Sequence, residues 1–250
     1  MSGHSKWHSI KHKKAATDAK RGKIFNRHVK LIEAAARVGG PDQNMNPRLR
    51  TAVQAARDDN LPKDKIEKAI AKVAGAGKES FEEIMYEAYG PEGVALMIEV
   101  FTDNKNRTVG EIRHLLTKHG GHLAEGGSVA WNFTQKGVIT VPVEGNDEDR
   151  VMEAVLEAGA DDLTSEGENY EITTDPKSFM AVRDALREAG IAVNHSELTR
   201  VPGSTVELGE GPARKVLKLM DVLEEQDDVQ NVSANFDIPD EILDSLKDEE

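Results

Sequence analysis

Seven lysines and two arginines stand among the first 30 residues, against a single acid, Asp18. They fall in three strings: Gly3-His4-Ser5-Lys6-Trp7, Ile10-Lys11-His12-Lys13-Lys14 and Asp18-Ala19-Lys20-Arg21-Gly22-Lys23. Cations on a chain with few apolar anchors suit a phosphate backbone, because each phosphate they neutralise releases condensed counterions. Trp7 adds a ring that can stack on a base. If about six of these cations met phosphates, affinity would fall roughly a thousandfold between about 50 and 200 mM salt. The competing reading is a solvated tail with Trp7 resting on the body. The next helical stretch favours the first reading. At 3.6 residues per turn, Lys23, Arg27, Lys30 and Arg37 fall on the face opposite Phe25, His28, Val29, Ile32 and Ala36. The candidate nucleic-acid contacts are therefore Lys6, Trp7, Lys11, His12, Lys13, Lys14, Lys20, Arg21, Lys23, Arg27, Lys30 and Arg37.

Other strings offer weaker chemistry. Thr102-Asp103-Asn104-Lys105-Asn106-Arg107-Thr108 joins a strand to a helix start. Short polar side chains there cap the helix. The same geometry presents free N–H groups to an anion, and Arg107 adds a fork of donors, so Asn104, Asn106 and Arg107 form a candidate second anion site. Gly120-Gly121 and Gly126-Gly127 fit tight turns better than a phosphate nest. His4, His8 and His12 recur every fourth residue with no carboxylate or cysteine at matching spacing. They read as imidazoles partly protonated beside a polyanion, not as metal ligands. No P-loop, nucleophile elbow or zinc-protease motif occurs, so no enzyme, cofactor or metal is expected.

Charge is divided along the chain. Residues 1–78 carry 18 basic and 7 acidic side chains, a net +11, and the remaining 172 carry 14 basic and 38 acidic, a net −24. A polyanion is drawn to the first third and repelled by the rest. Aromatics make up only 4% of the chain, so its cores must be aliphatic, and the lack of cysteine rules out disulfides and thiolate chemistry. No apolar run approaches the ~18 residues of a membrane span, and the basic N-terminus has no apolar core of the secretory kind. A cytoplasmic protein with no membrane partner is expected.

The elements that must carry these residues follow from periodicity. Residues 1–22 read as a basic flexible arm. Residues 23–78 read as a three-helix bundle, with helices Lys23–Val38, about Pro47–Asp59 behind an Asn46 cap, and one starting near Pro62. Strands and helices then alternate. Phe81–Tyr89, Val94–Phe101, Val129–Phe133 and Thr205–Leu208 read as strands, with helices at Thr108–His119 and Pro212–Glu225 and a closing strand at Val229–Phe236. Between them, 135–203 read strand, helix, strand, strand, helix, strand. The expected fold is α+β: an N-terminal three-helix bundle followed by two ferredoxin-like βαββαβ domains, one inserted in the other. Their bounds are 79–134 plus 204–238 for the outer domain and 135–203 for the insert. Residues 239–250 form an acidic tail, in which Ile242 and Leu246 are spaced to dock.

The strings GHSKW, IKHKKAATDAKRGK, FTDNKNRTVGEIRHLL and GGSVAWNF closely resemble the YebC/PmpR family, and the likeness runs from Ser2 to about Pro239. That family includes the mitochondrial translational activator of cytochrome oxidase subunit one. The resemblance implies a helical N-terminal domain followed by two nested α/β domains. It also implies a cytoplasmic DNA-binding transcriptional regulator, or else a factor acting at the ribosome to ease stalling. A third possibility is a protein-interaction scaffold whose basic arm binds an acidic surface. No zipper is visible and a monomer is expected. The short helices and the Lys/His arm suit backbone binding better than a base-reading helix, and so lean toward ribosomal RNA or weakly specific DNA.

Overall fold

The computed structural model describes residues 18–75, 81–166, 168–239, 241, 242 and 245. It opens on helix α1, Asp18–Gly39, which starts five residues before the expected Lys23 and so takes in the last part of the expected arm. Helix α2, Pro47–Asp58, starts as its sequence dictates. Asn46 accepts from the Leu49 N–H at 3.0 Å and donates to the carbonyls of Ala35 and Gly40, both at 2.8 Å. Proline at the first helical position costs no hydrogen bond. Helix α3 spans Lys63–Gly75. Ile32, Ala35 and Ala36 of α1 pack on Leu49, Val53 and Ala56 of α2 and on Ile66 and Ala69 of α3. Two polar bridges close the bundle. Buried Glu33 accepts from the Lys72 ammonium at 3.0 and 3.1 Å, and the His28 imidazole meets the Asp59 carboxylate at 2.5 Å.

The chain divides into two compact units, residues 1–132 with 202–250 and residues 133–201. In the first, strands β1 (Glu82–Tyr89), β2 (Ala95–Thr102), β3 (His122–Leu123) and β9 (Val229–Ala234) form an antiparallel sheet in the order β3-β1-β2-β9. Helices α4 (Lys105–Lys118) and α7 (Glu210–Glu224) belong to the same core. Leu96, Ile98 and Val100 of β2 pack there with Ile112, Leu116, Val216, Leu219, Leu223 and Val232. Two assignments differ from expectation. Val129–Phe133 is not a strand of this sheet: residues 130–132 make one 3-10 turn, and Phe133 opens the next strand. Thr205–Leu208, expected as a strand of the outer domain, is not in this sheet, where β2 lies between β1 and β9. The segment Val206–Glu207 (β8) pairs instead, in parallel, with Phe236–Asp237 (β10). Ile238 is fully buried and Ile242 packs against the same core, while Leu246 lies outside the described residues.

The second unit contains β4 (Phe133–Pro142), α5 (Glu148–Leu156), β5 (Ala160–Glu166), β6 (Asn169–Thr174), α6 (Phe179–Glu188) and β7 (His195–Pro202). Its sheet order, β5-β6-β4-β7, is the split βαβ pattern. Ile139, Val141, Ile172, Val151, Val155, Phe179, Val182 and Leu186 fill its core. Gly137 is required there: a Cβ at that position would lie 2.4 Å from Phe179 Cδ2 and 2.4 Å from Thr174 Oγ1.

Candidate nucleic-acid interface

The candidate contacts fall into three groups. Lys6, Trp7, Lys11, His12, Lys13 and Lys14 lie outside the described residues. Lys20, Arg21 and Lys23 are on the first two turns of α1, and their side chains are likewise not described. Arg27, Lys30 and Arg37 are all half-buried, and here the expectation of an open basic face needs correction. Arg27 donates to Asn231 Oδ1 of β9 at 3.5 Å. Lys30 donates to the Asp227 carbonyl and lies 3.5 Å from Asp228 Oδ1. Arg37 sits 5.0 Å over the Phe81 ring, which stacks on Phe101 with centroids 4.9 Å apart. On α2, Arg48 forks onto Glu83 of β1 at 2.9 and 2.5 Å. The helices thus spend much of their positive charge on the acidic part of their own chain.

The Asn104–Arg107 corner is built as an anion site and is already filled. Asn104 caps α4 by accepting from the Arg107 N–H at 3.1 Å. Asp228, from the turn before β9, lays its carboxylate on the same corner. Its Oδ2 accepts from Arg107 Nη2 at 2.8 Å, Thr108 Oγ1 at 2.7 Å and Thr102 Oγ1 at 3.1 Å. Arg107 also donates to Asp103 at 2.8 Å, and Asn106 is exposed and makes none of these bonds. Burial is the largest single influence on Asp228 and opposes its ionisation. Arg107, Thr108, Lys30 and Thr102 together outweigh it and hold the carboxyl below the usual aspartate range. The hydrogen bond to Asp228, then the one to Asp103, push the Arg107 guanidinium further up.

The Gly126-Gly127 loop repeats this pattern. Gly127 has φ +90, a conformation open to glycine, and lets successive N–H groups converge. The ligand in that nest is Glu87 of β1, which accepts from the N–H groups of Gly127 at 2.6 Å, Val129 at 2.7 Å and Ala130 at 2.9 Å. Burial again pushes this carboxyl up more than any one bond lowers it, and the three backbone donors together bring it below the ordinary glutamate range. The expectation of plain turns missed this ligand, because the glutamate lies 40 residues upstream of Gly127. The loop also carries Trp131, which is 77% exposed and was not singled out among the candidate contacts. Its signal in the sequence was scarcity, since the chain has two tryptophans and the other is Trp7.

No group of three or more histidine and acidic side chains among the described residues is placed to hold a metal ion. No helix among them is long and apolar enough to cross a membrane.

Together these features define a class: an α+β protein with a basic helical N-terminus and two four-stranded antiparallel sheets, one contributed by a segment spliced into the other unit. The chain belongs to the TACO1/YebC family. The model of that family's N-terminal domain matches residues 5–76, and the model of its second and third domains matches residues 81–236. A probable transcriptional regulatory protein of Syntrophus aciditrophicus is 52% identical over 248 residues, covering 98% of this chain and 99% of that one. One of the same name from Dictyoglomus turgidum is 53% identical over 250 residues, covering 98% and 100%. The crystal structure of a conserved hypothetical protein from Aquifex aeolicus superposes with a TM-score of 0.83 at 45% identity, covering 92% of this chain and 96% of its own.

Proposed function

We propose that this chain is a cytoplasmic, nucleic-acid-binding regulator of gene expression, acting as a DNA-binding regulator of transcription, and that it grips phosphate through its N-terminal basic residues. The observation that carries the reading is the charge division, net +11 over residues 1–78 and net −24 beyond. The two anion cradles of the α/β part support it from the other side. Asp228 and Glu87 already occupy them, which leaves the phosphate-binding role to the arm. The names carried by the bacterial relatives favour transcription as the process.

One observation favours a second reading, an RNA- or ribosome-bound translation factor. Arg27, Lys30 and Arg37, the basic residues of α1 whose side chains are described, meet the protein's own sheet and turn and are poorly placed to insert into a DNA major groove. Crosslinking in cells followed by sequencing of the bound nucleic acid, beside a polysome profile, separates the two. Discrete promoter peaks that vanish in a Lys11/Lys13/Lys14→Glu variant are expected for the transcriptional reading. Ribosomal RNA recovery with ribosome co-sedimentation would overturn it in favour of the second.

A further inference from the structure

We infer that Trp131 is a stacking platform for one unpaired nucleobase, a contact distinct from the phosphate grip of the arm; the inference rests on the nucleic-acid reading above. A tryptophan exposed over 77% of its surface is unusual because of the apolar area it leaves in water. This one is also held in place. The Glu87 carboxylate fixes the N–H groups of Val129 and Ala130 on one side, and the Val129 side chain is buried. On the other side Asn132 is clamped to Ser204. Its Oδ1 accepts from the Ser204 N–H at 2.8 Å, and its Nδ2 donates to the Ser204 carbonyl at 2.9 Å. The indole N–H donates to the Ser128 carbonyl at 3.0 Å.

Two consequences follow for any ligand. The ring's single donor is engaged within the chain, so what it offers a partner is its π surface. The backbone on either side of the ring is also already fixed, which leaves more of the contact energy for binding. The surroundings point to a base rather than to a protein. Gly126, Gly127, Gly203, Ser204 and Thr205 are exposed and lack large apolar side chains. A protein hot spot is normally ringed by further contacts that exclude water. Among the described residues the other large exposed hydrophobics are Val38, Met45 and Leu156, none in this loop. A nucleobase needs one flat face and tolerates a polar rim, and every base has such a face. A duplex does not offer it, because its bases are stacked on one another.

The chain's two tryptophans make the test direct. In a Trp7→Phe background Trp131 is the sole tryptophan, and its emission is followed while ~20-nucleotide single-stranded RNA, single-stranded DNA or the matching duplex is added. Quenching by the single strands and not by the duplex is expected, and the RNA and DNA arms show which sugar the site prefers. Trp131→Ala should weaken single-strand binding roughly 5- to 150-fold, the usual worth of one base–aromatic stack. Its salt dependence should stay unchanged, because no phosphate contact is lost. Trp131→Phe should restore most of the affinity. Unchanged emission while the same oligonucleotide still binds in an arm-dependent way would overturn the stacking role and leave the arm reading intact. A protein-concentration-dependent blue shift without nucleic acid would overturn it in favour of a self-association face. Failure of every oligonucleotide to bind at low salt would remove both readings.

Discussion

Replacing Asp228 by alanine removes a carboxylate that joins three parts of one unit: the turn before β9, the start of α4 and the middle of α1. Its oxygens take two hydroxyl bonds, from Thr108 at 2.7 Å and Thr102 at 3.1 Å, and both threonines are fully buried. Hydrogen bonds to a charged acceptor contribute about 1.5–3 kcal/mol each. The lower figure applies here, because Thr108 also bonds the Asn104 carbonyl and Thr102 also accepts from the Asn104 N–H. Arg107 is exposed and Lys30 part-exposed, so solvent screens their pairing with Asp228 and it adds little to this sum. Removing the carboxylate also removes its desolvation cost, which brings the expected net loss to about 2–3 kcal/mol. Urea titration followed by circular dichroism reads that loss as a lower midpoint at unchanged slope. Asp228→Asn keeps an acceptor without the charge and should lose about half as much. The pH dependence has a definite sign. The folded carboxyl sits below its ordinary value, so its contribution is complete above the unfolded aspartate pKa of about 4 and vanishes as pH falls through the folded one. The gap between wild type and Asp228→Ala should therefore close in acid. A loss under about 0.5 kcal/mol at neutral pH, or a gap that widens on acidification, would refute the reasoning.

Two further outcomes follow from the packing. Glu87→Ala should speed hydrogen exchange of the Gly127, Val129 and Ala130 amides, all of which donate to that carboxylate, while the amides of the β4–β6 ladder are unaffected. Gly137→Ala should destabilise the second unit by roughly 1–3 kcal/mol, the usual cost of forcing extra volume into a packed core, because its methyl would meet Phe179 at 2.4 Å. Thermal unfolding with probes in each unit checks that the effect stays with residues 133–201.

How much was legible depended on how far each feature reaches along the chain. The start of α2 was readable because Asn46, Pro47 and Leu49 are adjacent and a cap is local chemistry. The order of elements in the second unit was readable because strand and helix periodicities alternate without interruption. The place of β1 was not readable. Its sequence reads as a strand, but which edge it fills is a matter of pairing with β2 and β3, and pairing is non-local. Val129–Phe133 is mostly apolar with bulky Val, Trp and Phe, as a strand could be, yet Glu87 holds its backbone in a turn from 42 residues away. The basic face of α1 was legible as a face, but its partner was not. Lys30 meets an aspartate carbonyl 197 residues downstream. The Asn104–Arg107 corner was legible as a place for an anion, and the anion turned out to be Asp228 of the same chain.

The division of labour between arm and body is tested most directly by the salt dependence of nucleic-acid binding. The slope of log affinity against log salt counts phosphates neutralised, at about 0.9 per contact on a duplex and about 0.7 on a single strand. Lys11/Lys13/Lys14→Ala should lower that slope by roughly two to three, and Arg107→Ala should leave it where it was. A slope untouched by the arm substitutions and reduced by Arg107→Ala would contradict the account.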